Sequence, residues 1–189
     1  MLKHECTCHN PSNHLETAER IKSIWARFKA RDLADECELV SSKLASVSDL
    51  LLTHNEHYAL IFGSDIEMRP KLPKEYLQTY MMNICIASCR GFALTYDQDN
   101  SWNEEHTPLA CRVAIGSTYE MARLVTSGKL KNGFALVRPP GSHAEFNKPL
   151  GFCYFNTIAI VAKMLKKNLL MERILIGNFT HSVNFIFQC

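Results

Sequence analysis

Apolar positions along the chain fall into two kinds of run, one spaced by three and four residues and one unbroken, and the spacing predicts the elements. Ile21, Ile24, Trp25 and Phe28 recur at helical spacing within residues 16–31, with Lys and Arg between them. That is the pattern of an amphipathic helix laid on a core, its basic residues forming a solvated face. Ser46, Val47, Ser48 and Asp49 precede Leu50, Leu51 and Leu52. They have the form of a capping box and predict a second helix start. His54 and His57 then fall near that helix's end, where histidine complements the dipole. Residues 65–80 show no period and include Pro70 and Pro73, so they read as loop, and residues 81–94 are apolar around Cys85 and Cys89. Ala110, Val113, Ala114, Met121, Leu124 and Val125 predict a long helix over residues 108–130, ending near Ser127 and Gly128.

Residues 133–138 form a short apolar run bounded by Gly and Pro, which predicts a buried strand. Pro139, Pro140 and Gly141 must leave it, because proline removes ladder donors and restricts its predecessor. Residues 157–167 predict a helix, apolar at Ile158, Ile160, Val161, Met164 and Leu165, and residues 173–176 a second buried strand. Strand, crossover helix and strand make a βαβ unit, and hence an α/β fold with a parallel sheet flanked by helices. Ser142, His143 and Glu145 lie on the loop just past the first strand's carboxyl end, where ligands bind in open α/β sheets. The aromatic loop Gly151, Phe152, Cys153, Tyr154, Phe155, Asn156 follows at once. Two such loops facing one crevice make a candidate site.

Composition narrows the class. A chain of 189 residues, 47% hydrophobic and 21% charged, is long enough for one domain with a substantial core. A net charge of +2 gives no argument for nucleic acid. No secretory pattern opens the chain and no apolar run reaches membrane-spanning length, so no membrane partner is expected. In a reducing compartment the eight cysteines are expected as thiols or metal ligands rather than disulfides. His4, Cys6, Cys8, His9 and His14 crowd the first fourteen positions with soft and borderline donors of the kind that suits zinc.

RPPGSHAE followed by GFCYFN resembles the histone deacetylase family, whose usual pattern is RPPGHHAE and then GFCFFN or GFCYFN. The resemblance implies an arginase/deacetylase-like fold and zinc-dependent hydrolysis of acetyl-lysine, a hydrolase acting on amide bonds. It assigns acid–base work to His143 and the acyl-lysine tunnel to Gly151 and Phe152. Ser142 stands where the family has the first of two histidines. Tyr96 to Glu104 fits the family's V-D-x-D-x-x-W-N-E segment and makes Asp99 the rim carboxylate that grips the substrate backbone. The opening MLKHECTC is similar to class IIa members of the family, where such a segment holds a structural zinc. Carried over, the ligands are Cys6, Cys8, His14 and Cys89, with His4 at an exchangeable position and Thr17 where a further histidine would stand.

The resemblance covers residues 1–176, the N-terminal part of a deacetylase domain truncated after about its first half, and leaves 177–189 as a non-family tail. After the second strand the family reads V-D-W-D-x-H-H-G-N-G, which supplies catalytic zinc ligands. Here Thr180 and Ser182 occupy the first aspartate and histidine positions, and His181 is one place off, toward the opposite face of a strand. The expectation is a structural zinc, no catalytic zinc, and no turnover by this chain. The class IIa resemblance also implies corepressor-type partners, acetylated histone or other protein lysines as the relatives' substrates, and a nuclear and cytoplasmic location. A non-catalytic zinc-binding module that recruits corepressor-type partners is the alternative reading; an unrelated zinc-dependent or cysteine hydrolase using Cys153 with His143 is a third, disfavoured by the apolar neighbours of Cys153. The half-built sheet and its uncharged tail, rich in β-prone residues, predict an open edge, with marginal solubility or association with a partner that covers it.

Overall fold

Helix α1 (Ala18–Lys29) carries the predicted amphipathic stripe but lies shallowly. Ala18 is buried, Trp25 and Phe28 are half-buried, and Ile24 stays exposed. The stripe continues as a ring stack, with Trp25 on Phe28 at 6.5 Å and Phe28 on Phe134 at 5.5 Å. These positions come from a computed structural model that describes residues 1–6, 14–68, 100–179 and 183–188.

The capping box forms as expected: Ser46 Oγ accepts from Asp49 N and Asp49 Oδ2 accepts from Ser46 N, opening α2 (Val47–Leu50). The histidines are a correction. Asn55 caps a separate helix, α3 (Glu56–Gly63), with Oδ1 accepting from the His57 and Tyr58 amides. His57 therefore sits in a first turn, where the dipole disfavours a cation, and His54 is buried between the helices. Helix α4 (Thr107–Thr126) confirms the long helix. Residues 43–45 cross it at Gly116, where a Cβ would come within 2.5 Å of the Lys43 carbonyl oxygen. Ala45 N donates to Arg112 O there, and Arg112 Nε donates back to Ala45 O.

Helix α5 (Thr157–Leu169) packs against α4, and the core between α2, α3, α4 and α5 is largely aromatic. Tyr58, Phe62, Trp102, Tyr154 and Phe155 pack edge-to-face or tilted, the arrangement ring quadrupoles favour. The Tyr154 hydroxyl donates to Ser101 O at 2.8 Å, and its carbonyl accepts from the Tyr58 hydroxyl. Among the described residues no helix is long and apolar enough to cross a membrane.

The sheet departs from expectation. Residues 133–137 enter no strand ladder; Gly133 lies so close to α4 that a Cβ there would meet Met121 Sδ at 2.4 Å. The second predicted strand exists as β1 (Ile174–Phe179), yet it pairs antiparallel with β2 (Val183–Gln188), Ile174 opposite Gln188 and Phe179 opposite Val183. The expected parallel βαβ pairing is thus absent among the described residues. Nor is the strand buried, since Leu175 is 55% and Ile176 42% exposed. Backbone donors and acceptors must be paired, and β2 is the partner nearest to β1 in sequence. Pairing with residues 133–137 would require closing a far longer loop, which costs more chain entropy.

A buried ion pair ties the first residues to this framework. Arg138 is 2% exposed and its guanidinium grips Glu16 in a fork, Nε to Oε1 at 2.7 Å and Nη2 to Oε2 at 2.8 Å. Nη2 also donates to Glu16 O and Nη1 to Met1 O, so the fork spans three stretches of chain.

Candidate functional site

Two consecutive loops build the site. The first begins after Arg138 and is fastened to the start of α5: Ile158 N donates to Gly141 O at 3.1 Å and Asn156 Nδ2 to Ser142 O at 3.5 Å. Gly141 is required by contact, because a Cβ there would meet Thr157 Oγ1 at 2.1 Å and Thr157 N at 2.8 Å. Glu145 N donates to Lys148 O, closing a small reversal at its tip that exposes Phe146. The second loop is a tight hairpin. Leu150 N and Cys153 N each donate to the other's carbonyl, with Gly151 (φ 52°) and Phe152 (φ 66°) at the corners. Positive φ at both central residues is the mark of a type I′ turn.

Glycine takes that conformation freely; phenylalanine does so at a cost of about 1–2 kcal/mol. Backbone strain of this kind clusters at ligand-binding sites. The Phe152→Gly variant should therefore exceed Phe152→Ala in stability by about 1 kcal/mol, because only glycine relieves the backbone. Urea unfolding of both variants measures the difference, and the reverse order would contradict it.

Of the residues assigned to chemistry, His143, Gly151 and Phe152 come together. His143 is solvent-exposed and lies over Gly151, whose Cβ, were there one, would sit 3.2 Å from His143 Cβ. The Ser142 hydroxyl is 2.9 Å from His143 Nδ1, so serine at the first-histidine position bonds its neighbour's ring. Cys153 offers no nucleophile: it is fully buried, its Sγ accepts from Ser142 N and donates to Gly151 O, and burial pushes its thiol up. Asp99 lies outside the described residues.

The metal assignments divide in the same way. Cys6 is a half-buried thiol and His14 is buried, while Cys8 and Cys89 lie outside the described residues. Among the described residues no three His, Cys, Asp or Glu side chains gather as a metal site. Three thiolates and one imidazole nonetheless form a donor set suited to a closed, structural zinc. His4 is committed elsewhere, with Nδ1 2.9 Å from Thr107 Oγ1 and Nε2 3.6 Å from Glu16 Oε2. Burial, aided by Arg138, lowers its pKa to about 3. Glu16 gives its charge to the Arg138 fork, so the His4–Glu16 approach is a neutral contact rather than an ion pair.

Two residues that sequence reasoning missed hold the site together. Arg138 was legible only as the end of a strand, although an arginine before two prolines in an apolar run is itself a signal for a buried partner. His54 is the other. Asn156 N donates to its Nε2 at 2.9 Å, which places the ring proton on Nδ1, 3.2 Å from Phe146 O. Burial lowers its pKa below the ordinary 6.5, outweighing the bond to Phe146 O, which favours the charged ring. With the folded pKa depressed, the unfolded chain takes up the proton first as pH falls below about 6.5. Stability should then fall by up to about 1.4 kcal/mol per pH unit until the folded pKa is reached. Urea midpoints between pH 7.5 and 5 should drop less steeply in His54→Gln; equal slopes would contradict this.

The chain has relatives among known proteins. The model of the histone deacetylase domain matches residues 14–179. Human histone deacetylase 9 is 43% identical over 176 residues, 93% of this chain and 17% of that protein. Human histone deacetylase 7 is 40% identical over 178 residues, and histone deacetylase 4 of Caenorhabditis briggsae 37% over 166, each with 18% of its length covered. The chain thus spans less than a fifth of these relatives. Among solved structures, the HDA15 HD domain superposes with a TM-score of 0.60 at 25% identity, over 82% of this chain and 37% of that one. The fold is therefore the arginase/deacetylase one, even though the described strands pair antiparallel. The chain belongs to the histone deacetylase family, and it corresponds to the N-terminal part of a catalytic domain of the class IIa kind.

Proposed function

We propose that this chain is a deacetylase-family module that presents the acyl-lysine-facing loops of the fold, holds one structural zinc, and does not by itself hydrolyse acetyl-lysine. The observation that carries the reading is the pairing of an assembled pair of loops with an altered continuation. His143 rests on the Gly151 turn beside Phe152, which supports an apolar channel wall next to an imidazole. Beyond β1, however, the positions that carry the family's ligand aspartate and histidine hold Thr180 and Ser182. Neither is a usual zinc ligand, so the residues present do not fit a catalytic ion.

Without that ion, no group here supplies the several kcal/mol of carbonyl polarisation that amide hydrolysis needs. His143 can still take or hold a proton at Nε2, since Nδ1 faces Ser142. A base alone contributes about 10²–10⁴-fold, far short of the reaction's barrier. The structural zinc is assigned to Cys6, Cys8, His14 and Cys89, a donor set that would suit a closed structural site; Asp99 is assigned to the substrate rim. By the same family reading, the partners are acetylated protein lysines and corepressor-type proteins, met in the nucleus and the cytoplasm.

The test is deacetylation of a fluorogenic Nε-acetyl-lysine peptide by the full chain loaded with zinc. Product should form no faster than with His143→Ala. Turnover above that control would contradict the reading.

A further inference from the structure

We propose that His54 is a positioning residue that locks the His143 loop to the Gly151–Phe152 loop through the two nitrogens of one buried ring. The inference rests on the acyl-lysine reading of those loops. His54 lies in the turn between α2 and α3, apart in sequence from both loops, yet it bonds each of them. Nδ1 donates to Phe146 O in the first loop, and Nε2 accepts from Asn156 N at the end of the second.

The bonds continue to the functional histidine. Asn156 Nδ2 reaches Ser142 O at 3.5 Å, and Ser142 Oγ lies 2.9 Å from His143 Nδ1. The ring is held from turning, stacked on Tyr58 at 5.4 Å and edge-on to Phe155 at 5.2 Å. Asn55 N adds a second donor to Phe146 O, so the turn that carries His54 contacts the first loop twice. A ring that merely filled space would need none of this. A donor and an acceptor separated by one carbon are what the two loops require, and a carboxamide offers the same pair.

That equivalence supplies the experiment, done on the full chain. His54→Phe keeps the ring volume and loses both bonds; His54→Gln restores a donor and an acceptor. Hydrogen–deuterium exchange across residues 142–156 should quicken about tenfold in the Phe variant, as expected for loss of roughly 1.4 kcal/mol of hydrogen bonding. Exchange in α4 should stay unchanged, and the Gln variant should exchange like the parent. Affinity for an Nε-acetyl-lysine peptide, read by fluorescence anisotropy, should follow the same order.

A Phe variant that exchanges like the parent overturns the proposal, as does a Gln variant with fast exchange confined to 142–156. If the exchange order holds but the parent binds no peptide, the loop tie stands and the acyl-lysine reading fails. If the parent binds and the Phe variant binds equally well, the positioning role fails while the reading survives.

Discussion

Arg138→Met should destabilise the chain by about 3–5 kcal/mol, the cost of leaving one partner of a buried ion pair uncompensated. Glu16 is 7% exposed and both its carboxylate oxygens are committed to the Arg138 guanidinium. Without the guanidinium the buried carboxylate loses both of its charge-assisted donors. The Met1 carbonyl loses its Arg138 donor as well and keeps only the His4 amide. Against a typical domain stability of about 5–15 kcal/mol, that is a large fraction. Urea unfolding of Arg138→Met and of Arg138→Met with Glu16→Met separates the charge term from packing. The double variant should recover most of the loss, because removing both charges avoids the stranded one. A double variant no better than the single would place the cost in packing instead.

Tyr154→Ala should cost about 3–5 kcal/mol, in the range of large-to-small changes at buried aromatics. Its ring meets Phe62 at 5.6 Å and Trp102 at 5.3 Å, so truncation opens a cavity inside the aromatic core. Tyr154→Phe isolates the hydroxyl. Ser101 O would lose its 2.8 Å donor in a buried setting, and about 1–3 kcal/mol should follow. The Tyr58 bond is to the Tyr154 main-chain carbonyl, so both variants keep that acceptor. Chemical denaturation of the pair gives the two values directly; equal losses would mean that the ring itself contributes little.

The helices were legible because their signals are local. The Ser46–Asp49 box and the spacing through 108–130 needed only near neighbours, and both elements formed where the pattern placed them. The break between α2 and α3 was missed because Leu50, Leu51 and Leu52 run on as if one helix continued, while Asn55 restarts the chain by capping. Strand pairing failed for the converse reason. The apolar run at 133–137 and β1 both look buried by composition, but pairing is settled by which partner lies within reach, and β1 takes β2.

The site divides along the same line. The motif placed His143 and the Gly151–Phe152 turn, and the fold brings them into contact. Sequence could not show that His54 and Arg138 hold the surroundings together, because their partners lie 92 or more positions away. An imidazole next to a helix also reads as a dipole partner before it reads as a bridge. The cysteine alternative closes on burial alone, since Cys153 is 0% exposed.

The measurement that bears most directly on the proposed function is zinc per chain by native mass spectrometry, on the parent and on Cys89→Ser. One zinc per parent chain, lost in the variant, is the expected result: a structural site that uses Cys89 and no catalytic ion. Two zincs in the parent would mean that a catalytic ion has found ligands beyond Thr180 and Ser182, and the claim that this chain is not a catalyst would fall.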